Sequence, residues 1–499
     1  MSTITGEGPT RMQRLLAYHF NRPDLAAGMP DDEIVELGCH TEVLLHRCPE
    51  LLSHGSHHDQ RGALTDALPG LSAPGTGVLA LVETEYDAKE WGRRRRAARR
   101  DEEGAVDPYP LDAKPEVSRH LARHGVLAQF LTPATKKLRS KKKEREAETP
   151  LEALGMELAA DFPGHMAIGD MLRAAGLVHP RLTRAISTGK GLKDRVAHLG
   201  LHMRAQLGEK HTHRTEEPKL MWVLTAFVPV GEQWKTLAYL PADRAHRGGW
   251  LNYAEAQGLS RSRPIPEGSR GDDTLPRRID HALFELARHL ECGYVLYVSG
   301  DSTRPVWPLL SNKNADLLTD DGLANGRPAL PGATLAPEHR PRAVIRTTSS
   351  ADPSIPVPAL FHKIGEDGNE NDGDKTSNAL FQLDGTDTTF LMSRRPHQMD
   401  GKTPSAKSGR NQGRWSCDDK EQQAETWHNL TTTEIAVIQR PDGHDALPYA
   451  LTTARLCNHA LAWEHRTRHP LPIHAAIQMD KNHPEYRRTI DYEVNDATG

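Results

Sequence analysis

The chain has 499 residues, a formal net charge of -4, and a hydrophobic content of 37%. This length exceeds one ordinary domain, so we expect two or three domains. The sequence contains no run of about 18 apolar residues of the kind that spans a membrane, and its N-terminus lacks an apolar signal segment. These features predict a soluble, cytoplasmic protein that makes no contact with a membrane.

The five cysteines lie at positions 39, 48, 292, 417 and 457 and form no Cys-x-x-Cys pair. Their odd number and wide spacing argue against a disulfide framework and favour a reducing compartment. Histidines accompany the first two cysteines, but the spacing is irregular and does not match that of structural zinc sites. We therefore expect no bound metal there.

Residues 1–70 are predicted to form a short helical segment. Apolar residues recur every three or four positions over 11–20 and again over 32–52. Pro23 and Pro30 separate these two predicted helices.

A βαβ pattern follows, with apolar strands at 77–83 and 126–131 and a helix at 114–124 between them. This order predicts a parallel sheet in an α/β domain. Gln129 stands in the middle of the second strand, and a cationic block containing Lys136, Lys137 and Arg139 follows that strand. Parallel sheets bind anionic ligands at this edge, whereas the interleaved glutamates that come next favour a solvated helix instead.

The next region predicts an antiparallel meander with strands at 195–204, 219–230 and 233–240. A helix at 277–289 then leads into a strand at 294–299, which ends at Asp301. Three antiparallel strands, a helix and a further strand are the order of an RNase H-like sheet. Asp301 is interpreted either as a helix cap or as a catalytic acid.

Further strands are predicted at 343–346 and 389–392, and the last part of the chain predicts a strand at 434–439 and two helices. The first helix carries Arg455, and the second follows the Pro-Leu-Pro sequence at 470–472. Glu434 and Arg455 lie on different elements, and they are interpreted either as a structural ion pair or as a phosphate-binding arginine with its orienting acid.

Four stretches together resemble the pPIWI-RE family of prokaryotic PIWI proteins, which are relatives of Argonautes. They are Leu-Ala-Gln-Phe at 127–130, Asp-Ser-Thr-Arg-Pro-Val-Trp-Pro at 301–308, Thr-Glu-Ile-Ala-Val at 433–437, and Arg-Leu-Cys at 455–457 with Leu-Pro-Ile-His-Ala at 471–475. The resemblance covers about residues 75–499. It implies a Rossmann-like MID domain at 71–185 and an RNase H-like PIWI domain at 186–499, preceded by the helical segment.

The resemblance also implies a role for individual residues. Gln129, Lys136, Lys137 and Arg139 would hold the 5′ phosphate of a guide strand. Glu434 and Arg455 match the arginine and glutamate that name the family, and Arg304 and Arg394 are rival candidates for the arginine.

Metal-dependent slicing by such a fold needs several converging carboxylates. The first-strand position is His202, Asp301 fits the second position, and the final helix offers alanines with only His474 nearby. We therefore expect no metal-dependent slicing. The alternatives are a nuclease that uses Mg²⁺ or Mn²⁺ with Asp301 and other acids (Asp272, Asp273 or Glu285), and a non-catalytic scaffold.

The leading hypothesis from the sequence is a guide-dependent nucleic-acid-binding protein. Its expected partners are a guide of RNA or DNA and the paired target strand. The family resemblance further implies defence against plasmids or phages beside a separate nuclease and a helicase.

Overall fold

A computed structural model of the chain describes a defined set of residues. These are 10–38, 41–48, 51, 58–68, 78–83, 113–131, 148–179, 182–183, 186, 191–206, 219–242, 248–269, 271–310, 322–324, 326–349, 361–364, 379–383, 387–392, 432–458, 467–481 and 483. The chain divides into two compact units. The first comprises 1–177, 254–264 and 482–499, and the second comprises 178–253 and 265–481.

The N-terminal 177 residues contain five α-helices, four strands and one 3-10 helix at Pro23–Ala27 among the described ranges. In chain order they are α1 Arg11–His19, β1 Ile34–Gly38, β2 Thr41–Leu44, α2 His58–Asp66, β3 Leu79–Glu83, α3 Ala113–Arg123, β4 Leu127–Leu131, α4 Pro150–Leu158 and α5 Phe162–Ala174.

The predicted helix over residues 32–52 is wrong, because β1 and β2 form an antiparallel hairpin there. Val35 lies opposite Val43 in this pair. β-Branched side chains lose rotamer freedom in a helix and pack well on a pleated surface, so valines at these positions favour strands. Gly38 ends β1 with φ +93°, a left-handed conformation that suits the turn between the strands.

The βαβ prediction is confirmed. β3 and β4 are parallel, with Leu81 opposite Gln129, and α3 lies between them in the chain. Buried Val117 and Leu121 of α3 belong to the same apolar cluster as Val126. Gln129 is half-buried in β4. Lys136, Lys137 and Arg139 lie outside the described residues.

The remaining described elements are, in chain order, β5 Ala197–Gln206, β6 Lys219–Val230, β7 Gln233–Leu240, β8 Gly249–Asn252, α6 Tyr253–Ser262, α7 Leu275–Ala287, β9 Tyr294–Ser299, α8 Gly300–Thr303, β10 Leu323–Ala324, β11 Arg327–Pro328, β12 Ala343–Ser349, β13 Phe361–Ile364, β14 Ala379–Leu383, β15 Thr388–Met392, β16 Thr432–Gln439, α9 Leu447–Asn458 and α10 Leu471–Lys481. Two further 3-10 helices lie at Pro308–Leu310 and Pro337–His339.

The second unit is built on a ten-stranded sheet in the order β13-β14-β15-β16-β12-β9-β5-β6-β7-β8. β5, β6 and β7 form the predicted antiparallel meander. β9 is parallel to β5, and β12 is parallel to β9. The RNase H-like order predicted from the sequence is therefore confirmed, and β8, β13 and β14 extend the sheet beyond the prediction.

Each face of the central strands is covered by different elements. On one face, Leu201 and Val298 belong to an apolar core with Ile279 and Leu283 of α7 and with the fully buried Trp307. On the other face, α10 lies directly against β5 and β6. A Cβ at Gly200 would be 2.4 Å from the backbone of Pro472 and Ile473, so only a glycine permits this close approach.

The pairing of β12 with β16 contains one irregularity. Val344 lies opposite Gln439, whereas Ile345 lies opposite Val437, so Ile438 is an extra residue in β16. This is a β-bulge.

None of the helices in the ranges given above is long and apolar enough to cross a membrane.

Candidate functional site

The parallel strands β5, β9 and β12 end at one edge of the sheet, where polar residues replace the apolar core. Leu201 lies opposite Val298, which in turn lies opposite Arg346. Side chains alternate between the two faces of a strand. The polar residues at this edge therefore form two separate clusters, one on each face.

The first, the arginine–glutamate cluster, consists of Arg304, Arg346 and Glu434. Nη2 of Arg346 lies 3.3 Å from Oε1 of Glu434, and their side chains are only 1% and 2% exposed. Nη2 of Arg304 lies 3.6 Å from Oε2 of the same carboxylate. Two guanidinium groups around one carboxylate leave one positive charge in excess at this edge.

Strand pairing explains why these groups meet. Glu434 in β16 lies opposite Thr348 in β12, and Arg346, two residues before Thr348, shares its face of the sheet. Arg346 also donates from Nη1 to the carbonyl of Leu310 at 2.6 Å. Arg304 follows α8 and donates to the hydroxyl of Thr348 at 3.2 Å. The cluster thus joins two strands to the segment that follows β9.

The second, the histidine–aspartate cluster, consists of His202 and Arg204 in β5 and Asp480 in α10. Nε2 of His202 lies 3.1 Å from Oδ2 of Asp480, and Nη1 of Arg204 lies 3.7 Å from the same oxygen. The side chain of Asp480 is 3% exposed, whereas that of Arg204 is 51% exposed. A buried carboxylate therefore holds a half-buried imidazole and a half-exposed guanidinium side by side.

A second histidine borders this cluster. Nδ1 of His469 lies 3.2 Å from the hydroxyl of Thr347 in β12. Burial lowers the pKa of His469 to about 3, and the nearby charges of His202 and Arg468 act in the same direction. His469 is therefore neutral at neutral pH.

The structural ion pair that was one interpretation of Glu434 and Arg455 is wrong, because the carboxylate pairs with Arg346 and Arg304. Arg455 lies in α9, where its Nη1 would be 2.7 Å from a Cβ at Gly191. The sequence analysis missed Arg346. The available signal was an arginine directly after Ala343, Val344 and Ile345, since a charge within a buried strand requires a partner.

The other predicted site residues have varied positions. The backbone of Asp301 lies in α8, while its side chain lies outside the described part of the chain. His474 is half-buried in α10. Arg394 lies outside the described residues. The expectation that the final helix offers only His474 overlooked Asp480, further along the same helix, whose carboxylate contacts the first strand.

The additional acids considered for a nuclease contact other groups. Asp272 accepts hydrogen bonds from Thr274, Asp273 pairs with Arg327, and Glu285 lies 3.5 Å from His281. Among the described residues, no group of three or more histidines, cysteines and acids is arranged to hold a metal ion.

The sequence over residues 198–485 matches the family model for the RNase H domain of pPIWI_RE. This match spans more than half of the chain and includes both clusters. The chain belongs to the pPIWI_RE family. The resemblance predicted from the four sequence stretches is therefore confirmed.

Solved structures with a similar course of the chain are Argonaute and Piwi proteins. They include the C-terminal lobe of a budding yeast Argonaute (8% identity, TM-score 0.43, covering 100% of this chain and 79% of that one). A Kluyveromyces polysporus Argonaute with a guide RNA has 9% identity and a TM-score of 0.44, covering 100% of this chain and 47% of that one. Drosophila Piwi has 10% identity and a TM-score of 0.40, covering 95% and 46%. The pPIWI_RE chain thus spans about half the length of these last two proteins. A comparison with curated protein sequences gave no match.

Proposed function

We propose that this pPIWI_RE chain is a guide-dependent nucleic-acid-binding protein that does not slice its target by metal-dependent chemistry. The arginine–glutamate cluster carries this proposal. It lies at the carboxyl end of the parallel strands, the edge at which α/β sheets bind ligands, and it holds one positive charge in excess. Arg304 is its more exposed member, with 23% of the side chain accessible.

In this proposal Arg304 contacts a backbone phosphate, and Glu434 and Arg346 position its guanidinium. These three residues are then the family's arginine–glutamate site, in place of the pair with Arg455. Arginine suits this role because its planar guanidinium donates two parallel hydrogen bonds to phosphate oxygens.

The lack of slicing is proposed from the residue types around the same edge. Two-metal hydrolysis requires several carboxylates around ions about 4 Å apart. Here β5 contributes His202 and Arg204, and the one described carboxylate facing them, Asp480, already contacts both. Such a set attracts anions better than divalent cations.

The remaining parts of the proposal follow from the family resemblance. The guide's 5′ end would lie in the α/β region at 71–185, with Gln129, Lys136, Lys137 and Arg139 as its ligands, and residues 186–499 would cover the guide–target duplex. A cytoplasmic role in defence against plasmids or phages, with a separate nuclease and a helicase as partners, is proposed on the same ground.

The test begins with the nucleic acid that co-purifies with the protein from cells. We expect short RNA or DNA with a defined 5′ end. With synthetic guides, Lys136→Glu together with Lys137→Glu should abolish binding, whereas a scaffold would be unaffected. Arg304→Ala should weaken binding. It should also lower the salt slope, the steepness with which log K falls with log salt concentration, by about 0.9, the value of one phosphate contact. Arg327→Ala is the control, because Arg327 is 68% exposed and also pairs with an aspartate.

Two results would contradict the proposal. Protein that carries no nucleic acid and binds no guide would exclude the binding function. Cleavage of a guide-paired target in Mg²⁺ or Mn²⁺, lost in Asp301→Ala, would instead establish the nuclease alternative.

A further inference from the structure

The histidine–aspartate cluster lies on the opposite face of the sheet from the arginine–glutamate cluster. His202 and Arg204 are two residues apart in β5 and therefore point to the same face. Both side chains approach a single oxygen, Oδ2 of Asp480, at 3.1 Å and 3.7 Å. One carboxylate thus orients two basic groups.

The difference in exposure shows which group meets a ligand. Asp480 is 3% exposed and His202 is 13% exposed, so both belong to the interior, whereas Arg204 is 51% exposed. An exposed arginine side chain is ordinarily mobile, and fixing its rotamers costs conformational entropy. The contact with a buried carboxylate places its guanidinium before any ligand arrives, which reduces the cost of binding.

The residue types indicate an anionic ligand. The cluster contains one acid, one histidine, and one arginine that is always charged. His469, beside it, is neutral at neutral pH because burial lowers its pKa. The charges of Arg204 and Asp480 cancel, and a histidine adds no negative charge, so the cluster lacks the negative excess that a divalent cation requires.

We infer that Arg204, positioned by Asp480 and His202, binds one backbone phosphate of the nucleic acid that lies across the carboxyl end of β5. The inference rests on the proposed function, because that function supplies the nucleic acid. Arg204 is the binding residue, and the other two residues are positioning residues that do not touch the ligand.

A single phosphate contact is detectable by removing phosphate charges one at a time. The full-length protein is loaded with a synthetic guide, and target strands carrying one neutral methylphosphonate linkage each are titrated. For the wild type, one linkage should weaken binding about tenfold, as expected for one charge-assisted contact. In Arg204→Ala the same linkage should have no further effect, and the salt slope should fall by about 0.9.

Three variants separate binding from positioning. Arg204→Lys keeps the charge, so the salt slope should remain while the effect of the sensitive linkage falls. Asp480→Asn keeps the shape of the side chain and loses its charge. It should therefore reduce the effect of the sensitive linkage on target binding and leave the effects of the other linkages unchanged. Arg327→Ala, a comparable arginine–aspartate pair elsewhere in the unit, should leave the linkage profile as in the wild type.

The outcomes distinguish this inference from the proposed function. An unchanged linkage profile and salt slope in Arg204→Ala, with normal guide and target binding, would overturn the inference alone. A wild-type protein that binds no guide-paired target would overturn the proposed function and the inference together.

Discussion

Replacing Glu434 by glutamine tests the energetics of the arginine–glutamate cluster. The change keeps the size of the side chain and its oxygen, but it removes the charge that faces Arg346 at 3.3 Å. Opposite charges at this distance attract by about 5 kcal/mol at an effective dielectric constant of about 20. Arg346 is 1% exposed, so water cannot replace the lost carboxylate.

The expected net cost is smaller than the gross attraction, because glutamine retains a hydrogen bond to the guanidinium. Removing one partner of a buried ion pair costs about 3–5 kcal/mol. We expect Glu434→Gln to lower the free energy of unfolding by an amount in this range. Replacing Arg346 by methionine first removes the stranded charge and leaves Arg304, 3.6 Å away and 23% exposed, as the partner of Glu434. Glutamine at 434 should then cost at most about 1 kcal/mol, the value of a partly exposed ion pair.

Urea unfolding followed by tryptophan fluorescence measures this difference, since the fully buried Trp307 lies in the core beside the same strands. The four proteins (wild type, both single variants and the double variant) form a double-mutant cycle. A cost below about 1 kcal/mol for Glu434→Gln alone would refute the claim that the pair is buried and coupled. An equal cost in both backgrounds would refute it as well.

Two further predictions concern the stability of the second unit. Burial lowers the pKa of His198 to about 4 and that of His469 to about 3, so below pH 6.5 the unfolded chain binds protons that the folded chain does not. Between pH 7.5 and 5 each histidine should therefore reduce the free energy of unfolding by about 2 kcal/mol. Urea unfolding at both pH values measures this, His198→Phe should halve the loss, and a flat profile would contradict it. Gly200→Ala should destabilise the unit by about 1–3 kcal/mol through overpacking against the backbone of Pro472. A melting temperature equal to that of the wild type would show that α10 can move away.

The sequence predicted those elements whose periodicity is unambiguous. The run from Leu220 to Val228 is long and apolar, and such runs form buried strands in any sheet order. The helix expected over residues 32–52 failed because a spacing of three or four also occurs by chance in a hairpin. The β-branched residues Val35 and Val43 gave the stronger local signal.

The candidate site was predictable in its parts but not in its pairings. Glu434 was identified from its place in an apolar strand, but its partner depends on which strand lies beside it. β12 and β16 are about 90 residues apart in the chain, and nothing in the local sequence of Glu434 indicates Arg346. Asp480 was missed for a similar reason, because its importance comes from the packing of α10 on β5.

The extra residue Ile438 has a consequence for the charge distribution of the whole sheet. Without this bulge, the pairing of Val344 with Gln439 would continue in step, and Ile435 would lie opposite Thr348. Because side chains alternate, every residue of β16 before the bulge would then point to the other face. Glu434 would be separated from Arg346 by the thickness of the sheet. A single inserted residue thus decides whether this acid offsets the charges of Arg304 and Arg346 or lies instead on the face that carries Asp480.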